Sequence, residues 1–220
     1  MNVQQLAAAL SAHFGPKVVV LASGLDGTVA DLFPEERASV AHAKEKRLAE
    51  FCTGRRLAHQ ALERLGLPPT ALPMREDRRP AWPEGVLASI SHTKGVAVVV
   101  AAHKGDAELL GVDVELDQDL AEHIHRVVLT PEEQAFINAA DPSRRGRLAL
   151  AHFSAKECLY KAQYPVTETF LEFQDVDLTL RDAEFSGVIH KPAAAQKLPP
   201  RLDGFWVQVG GWLAAGLRKP

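Results

Sequence analysis

The sequence predicts a fold of mixed helices and strands, and three observations carry that reading. Helical and strand periodicities both recur along the 220 residues, and neither dominates. The apolar runs at 96–102 and 109–116 are separated only by the turn signal Lys104-Gly105-Asp106, as neighbouring strands would be. Pro34-Glu35-Glu36-Arg37-Ala38 is echoed by Pro131-Glu132-Glu133-Gln134-Ala135, each after an apolar run read as a strand and each opening a helix, which hints at two similar halves. Pro-Glu-Glu is a good helix start anywhere, so the echo alone leaves duplication open.

Taken in order, residues 3–13 read as an amphipathic helix, followed by a short strand at 18–21 and the turn signal Gly24-Leu25-Asp26-Gly27. Pro34-Glu35-Glu36 opens a helical stretch expected to run to about residue 65. Proline and acids stand where a helix N-terminus favours them, and Gly66 with Pro68-Pro69 closes it. Residues 66–85, rich in proline and arginine, predict an ordered extended loop of the kind that often carries function. After the strands at 96–102 and 109–116, Thr130-Pro131-Glu132-Glu133 supplies an N-cap, a proline at the first helical position and a capping-box acid. Residues 147–162 are strongly helical, the runs 176–180 and 205–209 read as strands, and 192–200 as a connecting loop.

Composition bounds the function. Hydrophobic residues at 46% and charged residues at 24% are those of a globular chain long enough to bury a core. A net charge of −3 supplies no global positive field for nucleic acid or an anionic membrane, so any anion site is local. No apolar run reaches the roughly 20 residues of a spanning helix and the apolar segment 1–10 carries no basic n-region, so a cytoplasmic location is expected. Cys52 and Cys158 fit neither a disulfide framework nor a zinc spacing and read as small buried residues.

Three segments carry chemistry. In Leu110-Gly111-Val112-Asp113-Val114-Glu115-Leu116 the strand period puts Leu110, Val112, Val114 and Leu116 on one face and Gly111, Asp113 and Glu115 on the other. Two carboxylates on one face repel unless a cation or water separates them, and hard oxygen ligands suit Mg²⁺; a solvated strand face is the plain alternative. On the helix at 147–162, Leu148, Ala151, Ala155, Leu159 and Ala162 form the apolar stripe, while Phe153, Glu157 and Lys161 share another face. Glu157 and Lys161 would also make an ordinary surface pair. Ser89-Ile90-Ser91-His92-Thr93, downstream of Arg78-Arg79-Pro80-Ala81-Trp82-Pro83, brings hydroxyl, imidazole and guanidinium donors toward one strand edge, as a phosphate site needs.

Together these segments resemble the 4′-phosphopantetheinyl transferases, in the branch of the enterobactin-synthetase-component-D-like and surfactin-synthetase-activating enzymes. Gly111-Val112-Asp113-Val114-Glu115 is similar to the family's first acidic motif, Phe153 to Lys161 to its second, and Ser89 to Thr93 to the serine-histidine motif before them. Leu32 to Glu36, Arg47 to Arg55, Arg78 to Pro83 and Phe170 to Phe173 extend the resemblance over residues 32–175. Phe153, Cys158 and Thr93 replace the tryptophan, serine or alanine, and serine of many relatives, with no charged group removed.

The resemblance implies an α+β class, a pseudo-twofold fold of two similar α/β halves, residues 1–103 and 104–220, with coenzyme A in the cleft between them. It implies that Asp113, Glu115 and Glu157 hold Mg²⁺ and that Lys161 contacts the coenzyme A pyrophosphate, with Asp113 beside the same ligand. Ser91 and His92 would bind its phosphates. Arg55, Arg78 and Arg47 would grip the 3′-phosphate and nucleotide end, with Arg75 or Arg79 able to replace Arg78. The implied reaction transfers 4′-phosphopantetheine to a serine of an apo acyl or peptidyl carrier protein, with Glu157 as base, Glu115 its competitor, and Lys161 and His92 stabilising charge. One chain would complete the cleft, so a monomer suffices. Arg144, Arg145 and Arg147 would help dock the acidic carrier or are simply a solvated helix end. The rival readings are a non-catalytic module binding coenzyme A or a carrier, and an Mg²⁺-dependent coenzyme A pyrophosphohydrolase.

Overall fold

The computed structural model describes residues 2–220. Helix α1 (Val3–Phe14) starts at Asn2, whose side chain accepts the Gln4 and Gln5 N–H groups, and leads into β1 (Val19–Ser23). Helices α2 (Pro34–Arg37) and α3 (Glu45–Arg64) precede β2 (Val86–Thr93), β3 (Val96–His103) and β4 (Leu109–Leu116). Helices α4 (Glu122–Val128), α5 (Pro131–Ala139) and α6 (Pro142–Thr167) are followed by β5 (Val176–Arg181), β6 (Glu184–Ile189), α7 (Pro192–Ala195), β7 (Leu202–Val209) and β8 (Trp212–Lys219).

Two antiparallel sheets result, one of order β1-β3-β2 and one of order β4-β8-β7-β6-β5. Each carries a long helix. On the first sheet, Leu57 and Ala61 of α3 pack against Leu21, Ala97, Val99 and Ala101. On the second, Ala151, Ala155, Leu159 and Ala162 of α6 pack against Leu178, Leu213, Ala215 and Leu217, as the apolar stripe predicts. Between the sheets lies a shared core, in which Val98 and Val100 of β3 meet Val112 and Val114 of β4 and α1 adds Leu6, Leu10 and Phe14. Helix α1 thus bridges both halves.

Several expectations need correction. The helical stretch from Pro34 is not continuous to residue 65: α2 ends at Arg37, a 3-10 turn covers Ala38–Val40, and α3 begins only at Glu45. The bend packs Leu32 and Val40 on Phe51 and Cys52, burial that a straight helix could not provide. The two Pro-Glu-Glu segments do open helices, but a 3-10 turn stands between β1 and the first and α4 between β4 and the second, so neither directly follows a strand. Residues 86–93 form a full strand although serine and histidine interrupt its apolar pattern. Strand β8, rich in alanine and glycine, and strand β6 complete the second sheet, and α7 sits inside the expected 192–200 loop.

Candidate active site

Strands β2 and β4 are the adjoining edges of the two sheets, and serine hydroxyls replace the missing ladder between them. Ser89 Oγ accepts the Val112 N–H and Ser91 Oγ the Val114 N–H, each at 3.2 Å, so two buried donors of β4 are satisfied from the other sheet. Gly111 sets how closely α6 lies on β4. A Cβ at Gly111 would stand 2.4 Å from the Cys158 carbonyl oxygen and 2.9 Å from the Ala162 methyl. That approach brings Glu157 and Lys161 beside the acids of β4.

Asp113, 3% exposed, is held on both oxygens. Its Oδ1 accepts from Ser91 Oγ at 2.9 Å and Lys161 Nζ at 2.7 Å, and its Oδ2 from Ser154 Oγ at 2.8 Å. Lys161 Nζ also donates to Ser91 Oγ at 3.0 Å. Burial pulls the Lys161 ammonium down, but Asp113 outweighs it and holds the group above the ordinary lysine range. Glu115 accepts from Thr93 Oγ1 at 3.3 Å, and burial followed by the Asp113 charge pushes it up to about 7. Burial and Asp113 also raise Glu157, against the pull of Lys161. Three acids therefore feel one another's field with a single ammonium among them.

Among the described residues no three carboxylate, imidazole or thiolate groups stand close enough to close around an ion as they are. The donor set of Asp113, Glu115 and Glu157 is nevertheless all hard oxygen, and burial together with the neighbouring Asp113 charge raises the Glu115 and Glu157 carboxyls. That chemistry fits a hard divalent cation.

Beside β2 and α3, Arg47 Nη1 donates to His92 Nε2 at 3.1 Å and stands 3.7 Å from Glu50, whose carboxylate is also 3.7 Å from His92 Nδ1. An arginine donor at Nε2 assigns the imidazole proton to Nδ1, toward Glu50, and burial pushes His92 below its ordinary range. Arg55 is buried: its Nε donates to the Leu72 carbonyl at 2.9 Å, its guanidinium lies 4.4 Å from the Phe51 ring centroid, and burial lowers it to about 10. Arg78 is exposed. Arg47, Arg55, Arg75, Arg78, His92 and Lys161 all line one cavity of 920 Å³. A second cavity, of 310 Å³ and mostly apolar, is bordered by Glu157, Tyr160, Phe170, Leu171 and Phe173.

The structure thus gathers Ser91, His92, Asp113, Glu115, Glu157 and Lys161 around β2, β4 and α6, and places Arg47, Arg55 and Arg78 along the larger cavity. Sequence reasoning named Ser89 and Ser154 as members of their motifs but gave neither its role: Ser89 pins the two strand edges, and Ser154 holds Asp113. The period-two alternation of 86–93 and the position of Ser154 three residues before Glu157 were the available signals. Lys156, inside the second acidic motif, turns away and is buried with Glu133 at 2.7 Å. Of the arginines at the start of α6, Arg145 donates to the Asn138 and Ala140 carbonyls and Arg147 pairs with Asp117 and Asp119, while Arg144 is exposed.

Two family models match the chain: the 4′-phosphopantetheinyl transferase N-terminal domain over residues 35–102 and the 4′-phosphopantetheinyl transferase superfamily over residues 109–199. The chain is 40% identical over 157 residues to 4′-phosphopantetheinyl transferase Svp of Streptomyces mobaraensis, covering 70% of this chain and 63% of that protein. It is 34% identical over 146 residues to 4′-phosphopantetheinyl transferase Npt of Nocardia iowensis, covering 66% and 65%. Over 172 residues it is 32% identical to enterobactin synthase component D of Salmonella typhi, covering 76% and 70%. The matched region is a little under two thirds of the first two relatives' length.

Proposed function

Because the chain belongs to the 4′-phosphopantetheinyl transferase family, we propose that it transfers the 4′-phosphopantetheine arm of coenzyme A to a serine of an apo acyl or peptidyl carrier protein. The observation that carries the reading is the meeting of Asp113, Glu115, Glu157 and Lys161 at the seam of the two sheets, between a large arginine-lined cavity and a smaller apolar one. The arginine-lined cavity suits the phosphates and nucleotide of coenzyme A, and the apolar one its pantetheine arm. The site is complete within one chain, so a monomer suffices. Among the described residues no helix is long and apolar enough to cross a membrane, and the cytoplasm is the proposed location.

In this mechanism the carrier serine hydroxyl attacks the β-phosphorus of coenzyme A, the pyrophosphate bond breaks, and adenosine 3′,5′-bisphosphate leaves as the phosphodiester forms. Phosphoryl transfer needs chiefly positioning and charge neutralisation. Asp113, Glu115 and Glu157 would hold Mg²⁺, which when bound neutralises charge on the pyrophosphate. Lys161 sits between Asp113 and the larger cavity, where its ammonium can stabilise charge developing on phosphate oxygens. His92, which burial pushes toward the neutral form, is oriented by the Arg47 donor at Nε2 and has Glu50 3.7 Å from its Nδ1. Glu157 borders the apolar cavity and is the proposed acceptor of the serine proton, with Glu115 as the competing base.

The test is to incubate the protein with coenzyme A, Mg²⁺ and several unmodified carrier proteins and to weigh each carrier by intact-mass spectrometry. A phosphopantetheine adduct supports transfer. Hydrolysed coenzyme A with unmodified carrier would make the chain a pyrophosphohydrolase, and binding with neither product would make it a binding module.

A further inference from the structure

The hairpin of residues 74–80 belongs to the first half but is fastened to the second. Met74 and Pro80 form an isolated antiparallel bridge, the Arg75 N–H donates to the Arg79 carbonyl at 2.8 Å, and the Arg78 N–H donates to the Arg75 carbonyl at 2.9 Å. Arg79 is the residue that crosses the cleft. Its guanidinium lies 4.8 Å from the ring centroid of Tyr164 on α6, and its Nη2 stands 3.5 Å from the carboxylate of Glu168, the residue that caps α6. On its own side, Nε and Nη2 meet Asp77 at 2.8 and 2.6 Å.

Two non-glycine residues in the left-handed region flank this contact, Arg78 at φ 68° and Glu168 at φ 51°. L side chains are disfavoured there, so the surrounding contacts must fix both residues, as they do at binding sites. Arg79 has its guanidinium face on the Tyr164 ring and its edge donors on two carboxylates, which leaves it poorly placed to serve a ligand. All three arginines line the 920 Å³ cavity, but among the described residues neither Arg75 nor Arg78 has an ion-pair partner, so their guanidinium groups are uncommitted where that of Arg79 is taken up by the protein.

We propose that Arg79 is a positioning residue that clamps the 74–80 hairpin onto α6, so that Arg75 and Arg78 stand at the lip of the larger cavity to receive the nucleotide end of coenzyme A. The inference rests on the coenzyme A reading of that cavity. It gives the side chains of this arginine-rich loop different tasks, Arg79 to the protein and the others to the ligand, and it makes Tyr164 part of the nucleotide site without requiring that it touch the nucleotide.

The experiment measures calorimetric binding of adenosine 3′,5′-bisphosphate, together with KM for coenzyme A and kcat, for the wild type, Arg79→Ala, Tyr164→Leu, the double variant and Tyr164→Phe. Loss of one cation–π contact of this kind corresponds to about a tenfold effect. Arg79→Ala and Tyr164→Leu should each weaken bisphosphate binding and raise KM by about that factor with kcat within about twofold. The double variant should be no weaker than the worse single variant, because both remove one clamp. Tyr164→Phe, which keeps the ring, should bind as the wild type does. Unchanged binding in Arg79→Ala, additive losses in the double variant, or a Tyr164→Phe variant as weak as Tyr164→Leu would each overturn the clamp while leaving the cavity assignment intact. Should Arg79→Ala fail to fold, the Tyr164 pair decides the question alone. A wild type that binds neither coenzyme A nor the bisphosphate overturns the cavity assignment, and the clamp with it.

Discussion

In the first half, Glu36 closes the start of α2 by accepting the Phe33 N–H at 2.9 Å, and it also accepts the Leu72 N–H at 2.8 Å and faces Arg55 of α3 at 3.8 Å. In the second half, Glu133 closes the start of α5 by accepting the Thr130 N–H at 2.8 Å, and it accepts the Leu178 N–H at 2.7 Å and meets Lys156 of α6 at 2.7 Å. Both glutamates are buried, and each is the third residue of a Pro-Glu-Glu start. The echo in the sequence therefore has a physical cause: a carboxylate that caps one helix and anchors the base of the next. One residue beyond the anchored base the halves diverge, with Arg56 in α3 and Glu157 in α6. Arg56 pairs with Asp26, whose carboxyl its hydrogen bond holds below the ordinary range. Glu157 instead faces Asp113 and is pushed up by burial and that charge. A duplicated frame thus neutralises its charge in one half and leaves it unbalanced in the other, which is where the chemistry is proposed to lie.

The sharpest way to break this comparison is to neutralise both positions. Glu157→Gln should lower transfer by at least about 10² to 10⁴-fold, the range of a lost general base, while coenzyme A binding stays measurable. Arg56→Gln should leave transfer within about twofold, since an exposed ion pair such as Arg56–Asp26 contributes little. Intact-mass turnover of a carrier reads both. Near-normal turnover in Glu157→Gln removes that residue from the mechanism and turns attention to Glu115.

How much of this was legible depended on whether a pattern was local. The carboxylate face of β4 and the apolar stripe of α6 follow from periods of two and 3.6, so Asp113, Glu157 and Lys161 could be placed on their elements before their meeting was visible. The closeness of that meeting depends on Gly111 facing Cys158 and Ala162, a contact between residues some 50 positions apart that no local pattern encodes. Strand β2 was obscured because its serines serve the neighbouring sheet edge instead of a solvated face, and β8 because alanine and glycine carry little strand propensity. The bend at 38–44 was hidden because every local signal favoured helix, and burial of Leu32 and Val40 overrode it. Arg55 was legible as a cation of the site but not as the counterpart of Lys156, since that role depends on Leu72 and Glu36.

A second contrast tests the anchors. Lys156 Nζ has three acceptors, Glu133 at 2.7 Å and the Val128 and Phe173 carbonyls at 2.8 Å, which saturate its donors. Lys156→Met should cost about 3–5 kcal/mol in urea unfolding, because it leaves the buried Glu133 without its cation. Arg55→Met should cost less. Glu36 keeps the His59 Nε2 contact at 2.9 Å and the Leu72 N–H, so its carboxylate is never left alone. Equal losses would mean that the two anchors are not organised as described.

Acid should separate the halves again. His152 in α6 is buried beside Phe136, and burial lowers it to about 4 from 6.5. Between those values the unfolded chain binds the proton and the native chain does not, so this group's contribution to stability falls as pH drops from 6.5 to 4. The full difference corresponds to about 3 kcal/mol at the acid end. His152→Leu should flatten that limb of the stability profile measured by urea unfolding from pH 7 to 4, and an unchanged slope would place the acid sensitivity elsewhere.

The smallest expected effects sharpen the comparison most, because two buried hydroxyls, each three residues before the diverging position, have opposite duties. Thr53 Oγ1 accepts the buried Gly27 N–H at 2.8 Å, where Gly27 lies so close to α3 that a Cβ would stand 2.2 Å from the Thr53 nitrogen. Ser154 Oγ donates to Asp113 Oδ2 at 2.8 Å and orients a carboxylate of the proposed site. Thr53→Val keeps the shape but orphans a buried N–H, so it should cost about 1–3 kcal/mol in unfolding and leave kcat/KM unchanged. Ser154→Ala leaves the buried Asp113 Oδ2 without its donor and so should also cost about 1–3 kcal/mol in unfolding, but with that oxygen free to turn kcat/KM should fall about tenfold as well, the effect of one charged hydrogen bond. If Ser154→Ala lowered stability without touching kcat/KM, as Thr53→Val is expected to do, the hydroxyls of both halves would be structural and the orientation of Asp113 would rest on Ser91 and Lys161 alone.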